Sequence, residues 1–182
     1  MSMRLFESYQ HARMVAANEK WVFEPQRQYY SYIFEHRAAI ESYDDETLDH
    51  YYGKLAEAHK ALLLANVAVG AVAGAILQVA RQCISLAWPA SDGRMKKGRL
   101  VGSQYLSSVI WHARNQALHF EEGMPTNPNT KQSLQLLSQE FGIQIKSLNE
   151  SPRVLAVEIF EVLGWGGYED YAKDMVEMLT IS

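Results

Sequence analysis

Apolar positions along this chain recur at helical spacing almost throughout, and the alternation that marks a half-buried strand is nearly absent. A first helix is predicted over residues 3–20. A second starts near Pro25, a residue favoured in a helix's first turn, and runs to about Ser42. Asp44, Asp45 and Glu46 suit the positive N-terminal end of a third segment. Gly53 is expected to interrupt that segment, leaving a helix over 54–88, roughly 50 Å long, that stops at Trp88-Pro89. Beyond the loop ASDGRMKKG, a helix is expected from Leu100 to Phe120, ended by Gly123, Pro125 and Pro128. A shorter helix follows at 130–141. Phe141–Leu148 (FGIQIKSL) is the only alternating piece and is too short for a sheet of its own. Ser151-Pro152 supplies an N-cap and a first-turn proline for a helix stopping at Gly164, and Gly166-Gly167 turn the chain into a last helix at 168–180. With no internal repeat and no linker, the expectation is one all-α domain over 1–182, a helical bundle with a long apolar central helix.

The central helix raises a second possibility. Residues 61–80, ALLLANVAVGAVAGAILQVA, carry no charge and are long enough to span a bilayer. Against spanning stand the prevalence of alanine and valine, the polar Asn66 and Gln78, and the lack of aromatic belts. Gly70 and Gly74 form a small-x-x-x-small pair that suits close helix packing in lipid or in a soluble core. The soluble reading is preferred, because the remaining helices carry enough apolar surface to wrap a central one.

Composition narrows the function classes. A net charge of −4 excludes a broad basic field for coating nucleic acid but permits a focused basic pocket. The single cysteine, Cys83, excludes an intramolecular disulfide and a cysteine-based metal site. The opening MSMRLFESYQHARMV lacks a run apolar enough for a signal peptide, so a cytoplasmic protein with no membrane association is expected.

The chemistry concentrates in WHARNQALHFEEG, residues 111–123. Leu106, Val109, Ile110, Ala113, Ala117 and Phe120 form an apolar stripe, and Arg114, Asn115 and His119 lie off it. Arg-Asn-x-x-x-His resembles the motif of HEPN domains, all-α proteins whose active members are metal-independent endoribonucleases, among them toxins of toxin–antitoxin pairs and phage-defence nucleases. The loose form, arginine and histidine separated by four to six residues, is expected about 0.9 times by chance in a chain of this composition, and Arg4 and His11 satisfy it too. With asparagine required after the arginine the expectation falls to about 0.01, so only the strict form is informative.

The resemblance implies an RNA substrate, no metal and no cofactor. His119 would be general acid or base, Arg114 the phosphate clamp and Asn115 an orienting residue. RNA brings its own nucleophile, the 2′-hydroxyl, so a proton-transfer group and charge stabilisation suffice. On an ideal helix Arg114 and His119 point roughly 140° apart. The resemblance answers this with a homodimer in which two motifs line one cleft, and an antitoxin partner is a further expectation. Where some HEPN toxins have a tyrosine two positions after the histidine, modified by a partner enzyme, this chain has Glu121, so that control is not expected.

Arg94, Lys96, Lys97 and Arg99 crowd the loop before the motif; Lys96, Lys97 and Arg99 are the candidates for contacting an RNA backbone, a solvated loop being the plainer reading. Tyr29, Tyr30, Tyr32 and Phe34 are aromatic enough to stack bases but suit core packing better. A metal-dependent bundle is the rival enzyme, since His112, His119 and Glu122 share a helix edge. No histidine has the glutamate three positions before it that a di-iron bundle requires. The alternative outside enzymology is a non-catalytic helical binding module in which Arg114 and His119 make ordinary structural pairs with Glu121, Glu122 or helix-end carbonyls.

Overall fold

A computed structural model describes residues 2–35, 45–88, 96–145 and 154–180. Among these, six α-helices and one two-stranded ribbon occur: α1 (Ser2–Glu35), α2 (Asp45–Ala87), β1 (Leu100–Val101), β2 (Gln104–Tyr105), α3 (Leu106–Leu118), α4 (Pro128–Phe141), α5 (Ala156–Leu163) and α6 (Tyr168–Leu179). The fold is all-α, as the helical spacing predicts.

Three boundaries differ from the sequence reading. α1 runs through Pro25 instead of stopping before it. Proline removes one backbone donor, but the helix continues on both sides of it. Gly53 likewise leaves α2 unbroken; a Cβ there would meet nothing within 4 Å, so the glycine costs propensity and serves no close approach. Leu100–Tyr105 is not helical. It forms an antiparallel hairpin in which Leu100 pairs with Tyr105 and Val101 with Gln104. The two-residue turn places Gly102 at φ +57°, a value that favours glycine, and Glu140 of α4 accepts the Ser103 N–H at 3.1 Å.

Other boundaries follow local chemistry. Asn127 caps α4 by accepting the N–H groups of Asn129 and Thr130, Pro128 opens the helix, and Gly142 ends it in the left-handed region at φ +76°. Ile143 and Ile145 are buried on either side of exposed Gln144, so the alternation there is real burial without a strand. Gly164, at φ +67°, stops α5, and Gly167 precedes α6. The Ser151-Pro152 start signal lies outside the described residues, as do Arg94 and the stretches 36–42 and 146–148.

The chain divides into two compact units, one formed by 1–9 with 70–182 and the other by 10–69. In the smaller, α1 and α2 meet through stacked Phe23 and His59, 5.1 Å between ring centroids, and through Tyr30 and Tyr51 at 5.3 Å. Tyr29 and Tyr32 are exposed. The larger unit holds the main core, in which Ala73, Ile76, Leu77 and Ala80 of α2 are fully buried with Val109, Ile110 and Ala113 of α3. An aromatic cluster of Phe6, Tyr9, Phe160, Trp165 and Tyr171 closes one end, with centroid separations of 5.0 to 5.3 Å among the last four. Burial, then the neighbouring Cys83 and Tyr168, push the Tyr171 hydroxyl up to about 12.

Gly70 and Gly74 act as packing residues within this unit. A Cβ on Gly74 would stand 3.2 Å from the Cβ of Ala117, and one on Gly70 would stand 3.2 Å from that of Val154. Gly74→Leu is therefore expected to force α2 away from α3 and lower the unfolding free energy by about 2 kcal/mol, measured by urea denaturation. α2 is also long and apolar enough to cross a membrane, and 28% of its most apolar window is buried. Leu63, Leu64 and Val67 on it are exposed.

Candidate functional site

α3 is held with its apolar stripe inward. Leu106, Val109, Ile110 and Ala113 are buried, and Gln116 joins them because its side-chain oxygen accepts the Leu155 N–H at 2.9 Å. Arg114 and Asn115 fall on the flank of that stripe and emerge beside α2. Arg114 Nε donates to Gln78 Oε1 at 2.5 Å and Nη1 donates to Asn115 Oδ1 at 3.0 Å. The two hydrogen bonds fix the plane of the guanidinium.

These side chains line an open groove of about 540 Å³ together with Gln78, Arg81, Gln82, Ser85, Leu86 and Trp111. Arg81 lies with Cζ 3.7 Å from the centre of the Trp111 ring, and its guanidinium also contacts the Ser85 hydroxyl. Burial and the charge of Arg114 hold the Arg81 pKa below its ordinary value. Among the described residues no acidic side chain lines the groove and neither guanidinium has a carboxylate partner. Two nearby cations with no counter-charge among the described residues, flanked by amides and a hydroxyl, form a site suited to a multivalent oxyanion such as phosphate.

The sequence reading missed the α2 half of this groove. A signal was present: the polar residues 78, 81, 82 and 85 recur at the i, i+3, i+4, i+7 spacing of one helix face, directly after an apolar run.

His119 is not brought to the same place. α3 ends at Leu118, and His119 takes the C-cap position with φ −120° and ψ 25°. Its N–H donates to the Asn115 and Gln116 carbonyls, and its Nδ1 pairs with Glu122 Oε1 at 2.9 Å. The ring is well exposed and does not line the groove. Within one chain, then, Arg114 and Asn115 converge and His119 stands apart.

The other candidates are also placed. Arg99 donates from Nε and Nη2 to the two carboxylate oxygens of Asp174, at 2.9 and 3.0 Å, and from Nη2 to the Leu163 carbonyl at 2.5 Å. It ties the loop to α5 and α6, so its geometry is that of a structural residue rather than a free phosphate ligand. Lys97 stands 5.0 Å over the Tyr105 ring, and Lys96 is half-buried; neither lines the groove.

His112 Nδ1 lies 3.0 Å from the Thr130 hydroxyl of α4. No group of three metal-binding side chains occurs among the described residues. Burial holds the His112 pKa below its usual 6.5, so the native chain takes up that proton less readily than the unfolded one. This contribution to stability is complete above pH 6.5 and is lost as pH falls from there towards the folded-state value. The unfolding free energy of His112→Gln should accordingly fall less steeply than that of the wild type between pH 7 and 5, a difference measurable by chemical denaturation at a series of pH values.

No protein-family model matches the chain, and neither the curated proteins nor the solved structures contain a match to it.

Proposed function

We propose that this chain is a metal-independent endoribonuclease of HEPN type that works as a homodimer. The observation that carries the reading is the groove in which Arg114 and Asn115 stand with a second cation and, among the described residues, no lining carboxylate. In the proposed reaction the RNA 2′-oxygen attacks the adjacent phosphorus and the bond to the 5′-oxygen breaks. A 2′,3′-cyclic phosphate and a 5′-hydroxyl are left. The 2′-hydroxyl loses a proton and the departing oxygen gains one. In a dimer, His119 of one subunit makes one of these transfers at a site whose Arg114 comes from the other, and solvent water makes the second. Arg114 neutralises the charge that builds on the non-bridging oxygens, and Asn115 holds Arg114 in orientation.

Lys96 and Lys97 extend the same proposal as backbone contacts outside the groove, without Arg99. A cytoplasmic location, a toxin or phage-defence role and an antitoxin partner belong to it as well.

The test is incubation of the purified chain with RNA in excess EDTA. Wild type should release fragments ending in a cyclic phosphate, Arg114→Ala should not, and light scattering should give twice the chain mass. The pairing of His119 with Glu122 outside the groove favours a second reading, a non-catalytic HEPN-like binding module. RNA that is bound but left intact by the wild type would select it.

A further inference from the structure

Arg81 enters the reading proposed above only as the groove's second cation, yet its placement is specific. Its guanidinium is at stacking distance from Trp111, is held from the side by Ser85, and lacks a carboxylate partner among the described residues. An arginine present only for its charge would gain nothing from such orientation, because a point charge has no plane to orient. Trp111 keeps 43% of its surface exposed, which is costly for the largest apolar side chain unless something covers it.

We infer that Arg81, backed by Trp111, is a stacking platform for an unpaired nucleobase, and that the groove thereby selects single-stranded over duplex RNA. A planar cation can lie against a base on one face and an indole on the other, and Arg81 and Trp111 supply two of those three layers. Arg114, fixed by Gln78 and Asn115, then takes the phosphate next to the stacked base. Burial and, after it, the charge of Arg114 lower the Arg81 pKa, and a phosphate entering between the two cations offsets the second of these. A base held in a duplex has both faces covered and cannot join the stack, whereas an unpaired one can. The inference rests on the RNA reading of the groove but not on cleavage.

Fluorescence anisotropy with 2′-O-methyl oligonucleotides, which offer no nucleophile, separates the two. The 182-residue chain is titrated against a single strand, its duplex, and a strand of equal length made of abasic sites. Wild type should bind the single strand about tenfold more tightly than either of the others, with quenching of tryptophan emission. Arg81→Lys keeps the charge and removes the plane, so it should bind all three alike; Trp111→Leu should lose the same preference. Equal wild-type binding of base-bearing and abasic strands overturns the inference without needing any variant to fold. So does a folded Arg81→Lys that retains the preference. Stacking without cleavage of unmodified RNA would remove the nuclease reading and leave this one standing. Cleavage by an Arg81→Lys protein with unchanged strand preference would do the reverse.

Discussion

Asp174→Ala is expected to lower the unfolding free energy by about 3 kcal/mol. The carboxylate is buried and accepts three hydrogen bonds, two from Arg99 and one from the Trp165 indole at 2.8 Å. Trp165 is itself 1% exposed, so its N–H would have no water to turn to. The Arg99 guanidinium is in a different position, with 39% of its side chain exposed, and would recover part of its loss by hydration. Most of the cost therefore comes from the orphaned indole and the cavity. Asp174→Asn keeps an acceptor for the indole and loses the charge, and should cost about 1 kcal/mol. Guanidinium chloride denaturation of the two variants checks both values. Equal losses would shift the weight from the indole to the ion pair.

The same cluster explains why the partner of Arg99 is not legible in the sequence. Four cations within six positions look like a surface patch, and nothing local shows that a carboxylate seventy-five residues later closes on one of them. Local signals fared well where the chemistry was local. Asn127-Pro128 and Gly142 bracket α4, and Gly164 stops α5, because caps and left-handed residues act within one turn. They failed at Pro25 and Gly53, where the cost of a poor helix residue is a few kcal/mol at most and the surrounding helix absorbs it. They failed also at 100–105, where helical propensity yielded to a two-residue turn fixed by Gly102 and by Glu140 from α4.

The candidate site divides along the same line. Arg114 and Asn115 could be read from α3 alone, as polar residues beside an apolar stripe. The groove could not, because its other wall is α2, brought in by the close approach of Gly74 to Ala117. Arg81 and Trp111 are thirty positions apart in sequence and meet only because that approach is permitted. Small residues thus serve the candidate site indirectly: they set the separation at which two arginines share one cleft.

His119→Ala should reduce RNA cleavage by about 10² to 10⁴-fold and leave RNA affinity unchanged. The expectation of unchanged affinity comes from its position, since the imidazole lies outside the groove that would hold the strand, on the C-cap of α3 with Glu122 as its partner. Arg114→Ala should behave differently, weakening binding and cleavage together, because its guanidinium meets phosphate in the ground state as well as in the transition state. Glu122→Gln keeps a hydrogen-bond acceptor for the imidazole while removing the charge beside it. Because the imidazole keeps its partner, cleavage should fall less than in His119→Ala, measured on the same RNA. Mixing the inactive His119→Ala and Arg114→Ala chains tests the dimer directly. If arginine and histidine act across the subunit boundary, the mixed dimer holds one composite site with both groups intact. Activity should then return to about a quarter of the wild type on statistical exchange of subunits, since half of the dimers are mixed and each has one intact site of two. Restoration cannot arise if each chain carries a self-sufficient site, so a mixture as inactive as its components would place the arginine and histidine of any site on the same subunit.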